Sequence, residues 1–163
     1  MGDYAPPPEA LDAAGLRLAI VAGRFNDHVT APLLDGALQT LGALGLDPAA
    51  VPVHWVPGAF EIPLVAKQLA ASGQVDAVIC LGAVIRGDTA HFEYVAGPCA
   101  AGLAQAALDT GVPIAFGVLT TNDEQQALDR AGGCQGNKGA EAAATAVEMV
   151  ALLRQLPGRA DRC

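Results

Sequence analysis

Four apolar runs alternate with helical patterns along this chain, and that alternation constrains the fold more than any other feature. The runs occupy residues 16–22, 51–56, 77–81 and 114–119. Apolar residues recur at helical spacing after each run, and one more helix is predicted over about 138–156. Strands that are apolar throughout and alternate with helices form parallel sheets that are covered on both faces. The sequence therefore predicts an α/β fold around a four-stranded parallel sheet.

The predicted organisation is a single domain, residues 15–163, preceded by an arm, residues 1–14. A chain of 163 residues suits one domain. The arm contains Pro6, Pro7 and Pro8 and has few residues that could pack in a core. We expect the arm to be flexible or to add to the sheet of a neighbouring copy.

The overall composition limits the partners of this chain. Hydrophobic residues make up 52% and charged residues 16%, so we expect part of the surface to be buried against other copies; an Ala- and Gly-rich composition alone is the alternative. The net charge of −8 argues against nucleic acid and anionic membranes as partners. Residues 1–15 lack a basic region followed by an apolar stretch, so we expect no secretory signal and a cytoplasmic protein.

Each predicted strand is followed by a short polar segment. These segments are 24–26, 58–61, 82–91 and 120–122. The carboxyl ends of parallel strands lie at one edge of the sheet, where open α/β folds bind their ligands. The segment that follows the third strand begins GAVIRGDTAH and leads into a helix. Helix N-termini favour anions, so the sequence predicts a ligand site with an anion-binding part at this edge.

Two familiar motifs begin in this region and are not completed. Gly82 and Gly87 have the spacing of a phosphate-binding loop, but Asp88 replaces the lysine that neutralises nucleotide phosphates. His91 and Cys99 fit part of a zinc deaminase motif, but no second cysteine follows at the required spacing. The sequence therefore argues against a nucleoside triphosphatase and against a metal site.

Five polar or aromatic residues have more than one interpretation. His91 lies near a helix N-terminus, where the dipole disfavours the imidazolium and leaves a neutral ring that can accept a proton. Lys138 opposes the dipole of its helix, which indicates an anionic ligand or a salt bridge. Arg130 is favourable at a helix C-terminus without any ligand. Phe25 could stack on a planar ligand, and Glu61 could bind ligand hydroxyls or stabilise a helix start.

Five stretches of the chain resemble the lumazine synthase family in order and spacing, across about residues 15–156. They read GRFN (23–26), PGAFEIP (57–63), GAVIRGDTAHFEYV (82–95), GVPIAFGVLTT (111–121) and QALDRAGGCQGNKG (126–139). The resemblance implies a flavodoxin-like three-layer sandwich. It implies the condensation of 5-amino-6-(D-ribitylamino)uracil with 3,4-dihydroxy-2-butanone 4-phosphate. The products would be 6,7-dimethyl-8-ribityllumazine, phosphate and water, in the penultimate step of riboflavin biosynthesis, without cofactor or metal.

The resemblance also implies a role for each matching residue. His91 would transfer protons. Contacts with ribitylaminouracil would come from the residues Phe25, Asn26, Ala59, Phe60, Glu61, Ala83, Val84, Ile85 and Phe116. Phosphate contacts would come from Asp88, Thr89, Arg130 and Lys138. Phe116 and Arg130 would reach the site from a neighbouring subunit.

The resemblance further implies small-molecule substrates and a pentamer with active sites between subunits. A 60-subunit icosahedral shell is a second option, which the short segment 131–137 favours, and riboflavin synthase is a candidate partner. Two alternatives remain on the same fold, a non-catalytic flavin- or lumazine-binding protein and a shell-forming protein. The joint presence of His91 and Arg130 favours the enzyme, because binding a pyrimidine alone needs neither.

Overall fold

The central sheet has four strands in the computed structural model, which describes residues 4–7 and 9–157. They are β1 (Leu18–Gly23), β2 (Val53–Val56), β3 (Ala77–Ile85) and β4 (Ile114–Thr121). Their order is β2-β1-β3-β4, and every pair of neighbouring strands is parallel. The predicted parallel sheet is confirmed. Strand β2 lies at an edge of the sheet, where Pro52, which precedes it, is tolerated.

The strands alternate with helices. The helices are α1 (Asp27–Ala43), α2 (Ile62–Ala71), α3 (His91–Thr110), α4 (Glu124–Arg130) and α5 (Lys138–Gln155). A short antiparallel hairpin, β5 (Ala131–Gly133) and β6 (Gly136–Asn137), joins α4 to α5; the sequence analysis did not predict it. Within residues 4–7 and 9–157, no helix has the length and apolar character that a membrane crossing requires.

Two hydrophobic clusters cover opposite faces of the sheet. Ile20 and Ile79 belong to the cluster formed with α1 and α5. Val21, Val78 and Cys80 point the other way and belong to the cluster formed with α2 and α3. Successive strand residues alternate between the faces because the side-chain period of a strand is two. The three-layer sandwich of helices, sheet and helices is therefore confirmed.

Helices α1 and α5 pack closely where α5 begins. A Cβ atom on Gly139 would overlap the carbonyl oxygen of Leu33 in α1. The Asn137 side chain accepts hydrogen bonds from the amides of Gly139 and Ala140, at 2.9 and 3.1 Å, and donates one to the Pro32 carbonyl at 2.9 Å. These contacts fix the start of α5, and with it Lys138, against α1.

Two predicted boundaries were wrong by three residues or more. Helix α1 begins at Asp27, not near Thr30, so Pro32 lies inside the helix and not in its first turn. Strand β3 continues to Ile85 and does not end at Leu81, because it stays paired with β4 up to the Ile85–Thr121 pair. The loop after β3 therefore begins at Arg86, and Ala83, Val84 and Ile85 belong to the strand.

The described part of the N-terminal arm contacts the helical layer. The Tyr4 hydroxyl donates a hydrogen bond of 2.6 Å to a Glu148 carboxylate oxygen in α5. Burial, together with Glu148, raises the pKa of Tyr4 to about 12. Residues 1–3, 8 and 158–163 lie outside the described residues. The division into an arm, 1–14, and a domain, 15–163, stays a prediction.

Candidate active site

The carboxyl end of β3 extends beyond β1. Pairing between β1 and β3 ends at Ala22 and Leu81, whereas β3 and β4 stay paired for four more residues. The backbone of residues 82–85 therefore has β4 on one side and, among the described residues, no strand on the other. An unpaired strand edge presents N–H and C=O groups to a ligand.

A cavity of about 660 Å³ opens beside this unpaired edge, and we call it the large cavity. It is lined by Phe25, Asn26, Gly58, Ala59, Phe60, Glu61, Ala83, Val84, Ile85, His91, Tyr94 and Val95. Small-molecule sites commonly have volumes of roughly 300–1,000 Å³. The cavity therefore has the size of a ligand site, and it brings together all nine predicted site residues that lie within segments 25–26, 59–61, 83–85 and 91.

Two exposed phenylalanines line the large cavity. Phe25 is 72% exposed and Phe60 is 58% exposed. The Phe25 ring approaches Gly58 so closely that a Cβ there would lie 2.9 Å from the ring. A glycine at position 58 is therefore required for this ring position. Exposed aromatic rings beside a cavity provide a surface on which a planar ligand can stack.

Glu61 and Asn26 hold the two loops that border the large cavity. A Glu61 carboxylate oxygen accepts a hydrogen bond of 2.9 Å from the Gly58 amide. Asn26 precedes α1 in the left-handed conformation, with φ of 59°, which asparagine tolerates better than most residues. Its side-chain amide donates a hydrogen bond of 3.1 Å to the Ala83 carbonyl. Each side chain keeps one further polar group available to a ligand.

His91 is the first residue of α3 and borders the large cavity with an exposed side chain. Its backbone amide donates a hydrogen bond of 3.4 Å to the Thr89 hydroxyl. Among the described residues, its imidazole has no hydrogen-bond partner. The ring is therefore free to form a hydrogen bond with a ligand in the large cavity.

Asp88 and Thr89 lie next to the large cavity without lining it. They belong to the exposed loop between β3 and α3, residues 86–90. This loop leads into the N-terminus of α3, where amide groups without helical partners point outward. The loop can therefore present N–H groups to an anion at the edge of the large cavity.

Phe116 and Lys138 lie elsewhere. Both line a second cavity of about 190 Å³, together with Tyr4 and Glu141, and we call it the small cavity. Phe116 pairs with Cys80 in the β3–β4 ladder, well before the carboxyl end of β4. The Lys138 ammonium contacts both Glu141 carboxylate oxygens at 2.8 Å. Lys138 therefore has a salt bridge, one of the two alternatives that the sequence left open.

Arg130 ends α4 and borders neither cavity. Its guanidinium donates a hydrogen bond of 3.0 Å to the Gln126 carbonyl. A cation in this position also interacts favourably with the helix dipole. Within one copy of the chain, the predicted anion residues Arg130 and Lys138 are thus separate from His91.

Three residues of the large cavity were not named as site residues by the sequence analysis: Gly58, Tyr94 and Val95. Of these, Gly58 lies within the predicted polar segment 58–61. Tyr94 is 72% exposed. It follows His91 by three positions, and Val95 by four, so all three lie on one face of α3. Helical spacing from His91 could have identified Tyr94 and Val95. Among the described residues, no cluster of histidine, cysteine, aspartate or glutamate could hold a metal ion.

An open parallel sheet with a ligand-sized cavity at its carboxyl edge defines an α/β protein that binds a small molecule. Comparison with known proteins gives the family. Residues 15–154 match the family model for 6,7-dimethyl-8-ribityllumazine synthase. The chain belongs to this family.

Curated relatives support the same assignment. A 6,7-dimethyl-8-ribityllumazine synthase from Thermus thermophilus is 63% identical over 146 residues, which cover 90% of this chain and 93% of that protein. The enzyme of the same name from Syntrophus aciditrophicus is 58% identical, with 90% and 95% covered. The one from Protochlamydia amoebophila is 51% identical, with 90% and 85% covered. The chain is accordingly a transferase of riboflavin biosynthesis, and the predicted family and enzyme class are confirmed.

Proposed function

We propose that this chain condenses 5-amino-6-(D-ribitylamino)uracil with 3,4-dihydroxy-2-butanone 4-phosphate to form 6,7-dimethyl-8-ribityllumazine, in the large cavity. The observation that carries the proposal is this cavity, where exposed aromatic rings, an unpaired strand edge and His91 meet. The 63% identity to an enzyme with that name supports the same reaction.

The reaction requires orientation and proton transfer more than strong electrophilic catalysis. The 5-amino group attacks the ketone, and loss of water gives an imine. Loss of the C3 proton and of phosphate from C4 then leaves an enol, which tautomerises to a new carbonyl at C3. Attack on this carbonyl by the ribityl-substituted nitrogen closes the ring and expels a second water. Holding both substrates in position supplies much of such an acceleration. A histidine in contact with the reacting atoms adds about 10²–10⁴-fold.

In this proposal, the large cavity binds the pyrimidine and its ribityl chain. The Phe25 ring stacks on the pyrimidine, which Ala83, Val84 and Ile85 contact through backbone groups of the unpaired strand edge. Ala59, Phe60 and Glu61 hold the ribitylamino part, and Asn26 supports the ribityl chain. The polar groups that Asn26 and Glu61 keep available support these roles.

The phosphate binds at the loop before α3, partly through the backbone N–H groups of Asp88 and Thr89, and His91 shuttles protons beside it. Arg130 supplies the balancing charge, Lys138 adds a second cation, and Phe116 closes over the pyrimidine. Because these last three residues lie away from His91 within one copy, we propose that a neighbouring copy supplies them. The active site is then shared between subunits.

The assembly that fits this arrangement is a pentamer, alone or as part of a 60-subunit shell. In a ring of identical subunits, one surface of each subunit contacts a different surface of the next, and this contact repeats around the ring. Each site is therefore built from parts of two neighbouring copies. Riboflavin synthase, which would use the lumazine product, is the proposed protein partner. The cytoplasm is the proposed location.

The test mixes the purified protein with both substrates and follows lumazine absorbance and phosphate release together. The proposal expects both products in equal amounts, and phosphate only when the ribitylaminouracil is present. The absence of lumazine at micromolar enzyme would contradict the proposal and favour a non-catalytic binding or shell-forming protein. Sedimentation of the same sample separates a pentamer from a 60-subunit shell.

A further inference from the structure

Arg86 joins three parts of the chain around the loop that precedes α3. Its backbone amide donates a hydrogen bond of 2.9 Å to the Thr121 carbonyl, which extends the β3–β4 ladder by one residue. This bond fixes the start of the loop on the sheet. None of the proposed roles above uses the Arg86 side chain.

The guanidinium of Arg86 reaches forward to the first turn of α3. It donates a hydrogen bond to the Glu93 carboxylate and forms an ion pair with it. Its central carbon lies 4.1 Å from the centre of the Phe92 ring, in the geometry of a cation–π contact. It also donates a hydrogen bond of 3.3 Å to the Asn122 side chain, at the end of β4.

These contacts bracket residues 87–90. The loop follows Arg86, whose backbone is hydrogen-bonded to the sheet. The Arg86 side chain also binds Glu93, which lies in the helix turn where the loop ends. Residues 87–90 are all exposed. Their relation to the sheet and to His91 therefore depends strongly on the contacts of Arg86 with Glu93 and Asn122.

Arg86, Glu93 and Asn122 form a cluster at the protein surface, so losing its contacts should affect the loop more than the overall stability. The side chains of Arg86 and Glu93 are 42% and 54% exposed, and exposed ion pairs contribute little to overall stability. The hydrogen bond from Arg86 holds the pKa of Glu93 below its ordinary value, so the carboxylate stays ionised at neutral pH. Breaking the cluster should free the loop without unfolding the protein.

We propose that Arg86 is a positioning residue: with Glu93 and Asn122 it holds the 87–90 loop in the arrangement that receives the phosphate of the second substrate. This inference rests on the proposed function. Arg86 acts through the loop and does not itself contact the phosphate. Glu93 and Asn122 help Arg86 to hold the loop. Losing any of these three side chains should therefore raise KM for the butanone phosphate.

The experiment compares four variants with the unmodified chain: Arg86→Lys, Glu93→Gln, Asn122→Ala and Lys67→Ala. Lys67 forms a similarly exposed ion pair, of 2.9 Å, with Asp109 at the opposite end of α3, and it serves as the control. KM for each substrate, kcat and the melting temperature are measured. Arg86→Lys keeps the charge but loses the planar fork that holds two partners.

The expected result is a KM for the butanone phosphate raised about tenfold in Arg86→Lys and Glu93→Gln, and about threefold in Asn122→Ala, as for hydrogen bonds to charged groups. KM for the ribitylaminouracil stays within about twofold, since its proposed contacts lie in the large cavity. Lys67→Ala changes neither KM, and no variant lowers the melting temperature by more than a few degrees.

Two results would overturn the inference. A lower KM for the phosphate substrate in Glu93→Gln would mean that Glu93 restrains an arginine that binds the phosphate directly. An equal rise in Lys67→Ala would mean that breaking any surface ion pair of α3 has the same effect.

If the unmodified chain forms no lumazine, the proposed function fails, and amide hydrogen exchange still tests the positioning. Amides 87–91 should then exchange faster in Arg86→Lys and Glu93→Gln than in Lys67→Ala. Equal exchange in all three would overturn the positioning role.

Discussion

The large cavity and the small cavity differ in what they offer a ligand. The large cavity has exposed aromatic rings, an unpaired strand edge and an imidazole, and in the part of the chain that the structure describes its lining includes no lysine or arginine. The small cavity contains Lys138, which forms a salt bridge with Glu141. One copy of the chain thus provides a platform for a planar ring at one place and cationic groups at others. A reaction between a pyrimidine and a phosphate ester needs both together.

The position of Phe116 explains how the two parts could meet. Its partner in the ladder is Cys80, three residues before Ala83 on β3, which separates Phe116 from the large cavity by about 10 Å along the strand. β4 is an edge strand, and the Phe116 ring is 48% exposed. A ring at the outer edge of the sheet is available to a neighbouring copy, and this is why we place the second part of the site there.

The largest effect should come from His91 in the large cavity. We expect His91→Ala to lower kcat by about 10²-fold or more, because general acid–base catalysis is lost. Measurable activity should remain, because substrate positioning persists. Steady-state kinetics with both substrates measure this, with His54→Ala on exposed β2 as the control. Complete inactivity with unchanged substrate binding would show that proton transfer dominates the reaction.

Arg130 should have the next largest effect, on KM more than on kcat. We expect Arg130→Ala to raise KM for the butanone phosphate about 10–100-fold, as for the loss of hydrogen bonds between charged groups, with a small change in kcat. Arg154→Ala is the matched control, since Arg154 also lies in the last turn of a helix. A fall in kcat with unchanged KM would contradict the proposed phosphate contact.

Combining these two variants tests whether the site is shared. His91→Ala and Arg130→Ala chains, co-expressed with different tags and purified over both, should form mixed oligomers. About a quarter of the sites would then contain an intact His91 from one copy and an intact Arg130 from its neighbour. The mixture should recover about that fraction of the unmodified rate. An activity equal to the mean of the separate variants would place both residues in one copy's own site.

The smallest effect should come from Asp76, at the opposite end of the sheet from the large cavity. Partial burial raises the pKa of Asp76, but hydrogen bonds from Arg17 and the charges of Arg17 and Arg154 outweigh it, so the pKa lies below its ordinary value. The stability that this carboxylate contributes is therefore complete above the ordinary pKa of 3.8 and is lost as the pH falls below it.

Asp76→Asn should accordingly lower the melting temperature by about 2–4 °C at pH 7 and leave both KM values unchanged. It should also make the melting temperature fall less steeply below about pH 4. Thermal unfolding across pH 2–7 measures both effects. Asp109→Asn, which removes the more exposed pair with Lys67, is the control. A changed KM in Asp76→Asn would mean that this end of the sheet influences ligand binding.

The sequence was sufficient for the layers of the fold because its apolar patterns are local. Each apolar run became a strand, and Pro63, Gly111 and Asn137 stand where helices begin or end. The boundaries were less predictable, because tertiary contacts decided them. Pairing with β4 extended β3 to Ile85, and the left-handed Asn26 allowed α1 to begin before Thr30.

The candidate site was predictable in part for a similar reason. Residues that follow strand ends, such as Phe25, Glu61 and His91, converge because parallel strands place their ends at one edge. The positions of Phe116 and Lys138 depend on β4 and α5 and could not be inferred from strand ends. The contacts of Arg86 with Glu93 and Asn122 join residues seven and thirty-six positions apart, which no local pattern indicates.

The extension of β3 past β1 has a consequence for how this enzyme can vary. A ligand that contacts residues 82–85 through main-chain N–H and C=O groups does not depend on which side chains those residues carry. Exchanges among alanine, valine and isoleucine at positions 83–85 can then adjust core packing without removing the hydrogen bonds to the ligand. In a deep mutational scan, these positions should tolerate apolar exchanges and reject proline, which removes the N–H group.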